Sequence, residues 1–166
     1  MKLLSLLSAI CIAGPALFAA TPASDATQPE SEKTELAARE VVNRYYEEID
    51  HGHYNAAYQL WDGDGVASGK SLQEFTASFA NTEHTSVTTG TPTDSEGAMG
   101  SVYVTIPVQV IVLLKDGLRQ QYSGKYVMRR CNDVPGCTLD QRRWHIKSVS
   151  LRVAKLKAQQ GAAANP

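Results

Sequence analysis

The chain has 166 residues, 43% of them hydrophobic and 20% charged, with a formal net charge of −1. That balance excludes collagen-like, coiled-coil and wholly disordered chains, and the length suits one domain of roughly 120 residues once a leader and two loose ends are set aside. Charge is uneven along it. Between residues 21 and 100 four basic residues (Lys33, Arg39, Arg44, Lys70) stand against fourteen acidic ones, and from Ser101 onward eleven basic residues stand against Asp116, Asp133 and Asp140. An acidic helical half and a basic sheet half would suit an anionic partner, or would simply attract each other within the domain or across a dimer, the plainer of the two. An export leader and the lack of a binding motif argue against nucleic acid.

Residues 1–20, MKLLSLLSAICIAGPALFAA, put Lys2 before an apolar run from Leu3 to Ile12 and then small residues. This is the pattern of a signal peptide. A membrane anchor fits less well, because Gly14 and Pro15 break a run already short for about 30 Å of hydrocarbon. No membrane span is expected in the mature chain, which would be periplasmic or secreted. Cys11 lacks the preceding small residue that lipidation wants.

Residues 21–33, rich in Pro, Ser, Thr and acid, predict a disordered linker, and residues 157–166 a disordered tail. The domain between them, 34–156, opens on a helix. Leu36, Val41 or Val42, Tyr45 and Ile49 recur at helical spacing, with Thr34 as the cap and Gly52 as the stop. HYNAAYQLW predicts a short second helix. Ser71 and Glu74 form a capping box for a third, which buries Leu72, Phe75 and Phe79.

The remainder reads as strand. HTSVTTGTP is a weak first strand and DSEGAMG a turn. SVYVTIPVQVIVLL alternates, with Val102, Val104, Ile106, Val108 and Val110 on one face, and Pro107 predicts a bulge or an edge. KDG is a hairpin turn, RQQYSGKYVMRR the next strand, and RRWHIKSVSLRVAKL the last. Helices followed by an antiparallel meander make an α+β domain.

Between the last two strands lie Cys131 and Cys137. An even pair at short spacing in an exported chain reads as a disulfide, worth roughly 2 to 2.5 kcal/mol on the loop-entropy model. A metal site would need further ligands, and only His145 is near. Five intervening residues also fit a redox CxxC pair poorly.

The stretch VVNRYYEEIDHGHYNAAYQLW resembles the opening helix pair of the nuclear-transport-factor-2-like (cystatin-like cone) superfamily, and SGKSLQEF, YSGKYVMRR and QRRWHIKSVSL resemble later segments of its exported members. The resemblance spans residues 34–155. It implies N-terminal helices packed in a curved antiparallel sheet, forming a cone with a pocket at its wide end. Members include ketosteroid isomerase, scytalone dehydratase, polyketide cyclases, limonene epoxide hydrolase and many non-enzymatic modules, so fold alone chooses no activity.

A ketosteroid-isomerase-like reaction needs inward carboxylates. The central strand presents only Val and Ile inward, and the next strand has no Asp or Glu. A base would have to be Asp62, Asp64 or Glu83, and an isomerase, dehydratase or cyclase in the pocket is therefore the second reading, with a dimerising structural domain the third. DGDGVASGKS lacks the first glycine of a phosphate-binding loop, and Ala67 and Gln73 spoil it as a calcium loop. His51 and His53 bracket Gly52 without a third metal ligand, which favours helix-end capping. No cofactor and no metal is expected.

The aromatic set Tyr45, Tyr54, Tyr58, Trp61, Tyr103, Tyr122, Tyr126 and Trp144 is the more informative constellation, because rings with polar tips can orient a flat apolar ligand. Tyr45, Tyr122 and Tyr126 are the candidate ligand contacts, with Trp61 beside them, although Trp61 and Trp144 read first as core. The leading expectation is a non-enzymatic module that binds a small apolar ligand or a protein partner, by the pocket or the open sheet face.

Overall fold

The computed structural model describes residues 28–98, 100–132 and 134–154. The expected signal peptide, the first part of the expected linker and the expected tail lie outside the described residues. Among the described residues three α-helices precede five strands: α1 (Gln28–Asp50), α2 (Tyr54–Gln59), α3 (Leu72–Ala77), β1 (Thr82–Thr89), β2 (Thr93–Ala98), β3 (Ser101–Leu114), β4 (Arg119–Cys131) and β5 (His145–Val153). The fold is α+β with one open antiparallel sheet in the order β1-β3-β4-β5, and β2 also pairs with β3.

Helix α1 begins at Gln28, so residues 28–33 of the expected linker are helical and Thr34 is not its cap. Pro29 is tolerated there because the first turn has N–H groups with no intrahelical acceptor. The face of α1 that meets the sheet carries Ala38, Val42, Tyr45, Tyr46 and Ile49, all buried. Their spacing is that of one helical stripe. Polar contacts fasten the same helix to β1. The Thr85 backbone N–H donates to Asp50 Oδ1 at 2.6 Å, and the Thr85 hydroxyl donates to the Tyr46 carbonyl at 3.2 Å.

Strand β3 behaves as its alternation requires, with Val104, Ile106, Val108 and Val110 buried in a row. Tyr126 and Met128 of β4 extend that face, and Trp61, Phe75, Trp144 and Ile146 complete the core. At the start of β5, Ile146 N–H donates to the Leu60 carbonyl and Asp62 N–H donates to the Ile146 carbonyl. This short parallel pairing brings Trp61 to the sheet.

Two expectations about the strands need refinement. DSEGAMG is not simply a turn: Thr93–Ala98 is β2, Ala98 pairs with Ser101, and Gly100 has a φ of 80°. Turn-like composition yields here because the first half of β3 has no other partner on that side. Pro107 lies not on an edge strand but where the pairing along one flank of β3 is interrupted and slips by one residue, from Thr89 opposite Val108 to Thr93 opposite Thr105. Strand β1 pairs with β3 as far as Val108 and β2 takes over at Thr105, so Pro107 sits at the break between them. Its carbonyl accepts from Gly90 N–H at 2.8 Å. In an antiparallel strand the N–H of a residue points to the same side as its carbonyl, so the missing donor of Pro107 costs the β4 ladder nothing.

Cys131 and Cys137 are disulfide-bonded, with Cα atoms 6.2 Å apart, inside the range a disulfide bridges. The bond is compatible with an oxidising location outside the cell. It ties the end of β4 to the loop before β5.

Gly124 of β4 is the tightest point of the sheet, since an added Cβ would collide with the Ser150 carbonyl oxygen and lie 2.9 Å from Leu151 Cα on β5. Gly124→Ala is expected to lower stability by about 1 to 3 kcal/mol in urea unfolding and to weaken amide-exchange protection along β5. Gly97→Ala, whose Cβ meets nothing nearer than 4.0 Å, serves as the control and should change stability by less than about 0.5 kcal/mol in that direct comparison. Replacing both Cys131 and Cys137 by Ser should lower stability by about 2 kcal/mol; an unchanged midpoint would mean that the bond constrains nothing.

Candidate functional site

A cavity of about 430 Å³ opens between α1, α3 and the inner face of the sheet. Its floor is made of buried residues: Tyr45, Tyr46 and Ile49 from α1, Trp61, Phe75, Val110 from β3 and Tyr126 from β4. Its opening is marked by exposed lining residues, among them Lys70, Ser78, Gln120, Val149 and Leu151. That volume lies within the range of small-molecule pockets.

All four residues expected to contact a ligand, Tyr45, Tyr122, Tyr126 and Trp61, line this one cavity although they come from α1, β4 and the segment after α2. Tyr45 lies edge-on to Trp61 at 6.0 Å between ring centroids and is tilted against Tyr126 at 6.0 Å. These edge and tilted pairings are the ones ring quadrupoles favour. Of the remaining aromatic residues, Tyr54 stacks on Phe79 and Tyr58 lies edge-on to Phe75, both beside the floor. Trp144 belongs to the core away from the cavity, where Arg130 covers its ring.

The residue that sequence reasoning missed is Tyr46. Its hydroxyl and that of Tyr126 are 2.8 Å apart, a buried hydrogen bond joining α1 to β4. The signal was present, since Tyr46 stands four residues after Val42 on the same helical stripe. Burial raises the Tyr46 phenol to about 12, and the hydrogen bond from Tyr126 offsets part of that rise. Burial also holds Tyr45 and Tyr126 well above the ordinary tyrosine value, with Tyr46 adding to both rises and Tyr45 to that of Tyr126. The Trp61 indole N–H is buried without a hydrogen-bond partner. At ordinary pH the floor therefore presents neutral rings and hydroxyls.

None of the three carboxylates considered as a base faces the cavity. Asp62 accepts from Arg129 Nη1 through both oxygens, at 3.2 and 3.1 Å, and Lys147 Nζ stands 3.2 Å from its Oδ2. It closes the edge of the sheet where β4 meets β5. Asp64 and Glu83 are exposed, and neither is a lining residue. Among the described lining residues there is no Asp, Glu, His or Cys, so the walls offer neither a carboxylate base nor a metal-ligand set. His51 and His53 stack at 5.8 Å at the end of α1, where His51 Nδ1 is 2.7 Å from the Glu47 carbonyl and His53 Nδ1 is 3.0 Å from Glu48.

The opposite face of the sheet carries a shallow polar groove. Thr88, Thr105, Gln109, Ser123, Lys125 and Arg152 line it, with no acid among its described lining residues. The basic character expected of the sheet half is thus present on this face.

No family model, no curated protein and no solved structure matches this chain.

The shared hydroxyl pair makes a sharp test. Tyr46→Phe or Tyr126→Phe leaves one buried hydroxyl unpaired and should cost about 1 to 2 kcal/mol each, whereas the double variant should cost clearly less than the sum. Because the folded Tyr46 phenol stays neutral up to about 12 and an unfolded one ionises from 10.0, the stability from its burial is complete below the lower value and is lost as pH rises through the upper one. Tyr46→Phe should flatten the decline in chemical stability across that window. A decline as steep as that of the wild type would exclude Tyr46 as its source.

Proposed function

We propose that the chain is an exported, non-enzymatic binding module of the nuclear-transport-factor-2-like type, whose cone-shaped hollow holds a small apolar molecule. The observation that carries this reading is the convergence of Tyr45, Trp61, Tyr122 and Tyr126 on one cavity that has no carboxylate among its described lining residues. Apolar walls from Val110, Val112, Leu114, Val149 and Leu151 supply the hydrophobic contact, and the phenols supply neutral hydrogen-bonding groups that fix orientation.

Two further observations support the wider reading. The order of three helices followed by an antiparallel meander is the one the resemblance implies. The Cys131–Cys137 bond agrees with export, as does the leader-like sequence of residues 1–20. Acid–base catalysis loses its best residue, because Asp62 is committed to Arg129 and Lys147.

Native mass spectrometry of the protein purified from its own cells is expected to give a mass exceeding that of the polypeptide by one small molecule. Val112→Trp, which fills the cavity from its wall, should abolish that excess. Turnover of a saturably bound substrate by the purified protein would refute the binding-module reading, and an equal excess on the filled variant would move the site elsewhere.

A further inference from the structure

This inference rests on the cavity being a binding site and names the class of molecule it takes. We infer that the ligand is an amphiphilic carboxylate, whose apolar body lies against the rings of the floor and whose acid group meets the Lys70 ammonium at the opening.

Lys70 is the one charged side chain among the described lining residues of the cavity. Its backbone is held in place from several directions. The Tyr58 hydroxyl donates to the Lys70 carbonyl at 2.8 Å, and Lys70 N–H donates to Ser68 Oγ at 3.2 Å. Tyr58 is itself seated against Gly65, where any Cβ would collide with the ring and where φ is 95°. The next residue, Ser71, caps α3. The lysine stem thus leaves from a fixed point, and only its side chain has to be ordered by a ligand.

The charge at the end of that stem has no close ion-pair partner among the described residues. Glu74, the carboxylate whose titration the Lys70 charge influences, keeps its charge but is turned toward Ser71, where its Oε2 accepts from both the N–H and the hydroxyl, at 2.9 and 2.8 Å. A cation without a close ion-pair partner, beside a ring-floored hollow that has no carboxylate among its described lining residues, favours a molecule with one negative end and one apolar end. A lone ammonium, without the paired donors of a guanidinium, suits a monoanion better than a phosphate dianion.

Calorimetric titration with naphthalene-2-carboxylate and with the neutral, equally shaped naphthalene-2-carboxamide separates charge from shape. The wild-type protein is expected to bind the carboxylate about fivefold more tightly at low salt, the ratio that a good exposed ion pair gives, and to lose most of that preference at high salt. Lys70→Met should remove the preference while leaving the carboxamide affinity unchanged, and Lys70→Arg should restore it. Equal affinity for the two compounds, or a preference that survives in Lys70→Met, overturns the assignment of Lys70 while leaving the cavity as a binding site. Binding of neither compound overturns both readings.

Discussion

The structure depends on one constraint: the polar groups that α1 brings to the inner face of the sheet must find partners there. Tyr46 lies on the buried stripe of α1 and Tyr126 on the buried face of β4, eighty positions apart in the chain. Both side chains are buried, and leaving either hydroxyl unpaired would cost as much as several apolar contacts return. Bonding to each other fixes the height and rotation of the helix over the strands. Once that is set, Tyr45 is turned toward Trp61 and Phe75, and a hollow is left between the helix, α3 and the outer strands.

Charge is disposed so that it stays out of this hollow. Asp62, the least exposed carboxylate among the ion pairs, is drawn to the sheet edge by a guanidinium and an ammonium from adjacent strands. The pairing also secures the strand-like segment from Leu60 to Asp62 and so keeps Trp61 in the floor. Burying a carboxylate beside three phenols would instead have required an unpaired charge or a proton held far above its ordinary range. Keeping acids away from the described lining residues leaves neutral rings and hydroxyls on the floor of the hollow.

How much of this could be read from the residues depends on the distance over which each decision is made. The stripe of α1, the Ser71–Glu74 capping box and the alternation of β3 are local patterns, and each appears in the structure. The four ring residues were legible as a set because aromatic side chains with polar tips on facing elements tend to converge. Strand β2 was not, since its Asp, Ser, Glu and Gly speak for a turn and only the vacant flank of β3 makes it a strand. The place of Pro107 at the hand-over between β1 and β2 follows from register, which no window of sequence contains. Tyr46 was overlooked because its neighbour Tyr45 satisfies the same helical period. The pairing of Asp62 with Arg129 and Lys147 spans 67 and 85 positions and belongs wholly to the tertiary fold.

The central claim is that apolar molecules enter this hollow and no other part of the domain. Methyl NMR with labelled valine and leucine, titrated with naphthalene-based compounds, measures it directly. The account predicts saturable shifts confined to Val110, Val112, Leu114, Val149 and Leu151. Shifts that fail to saturate, or that leave these five untouched while methyl groups elsewhere move, would contradict it.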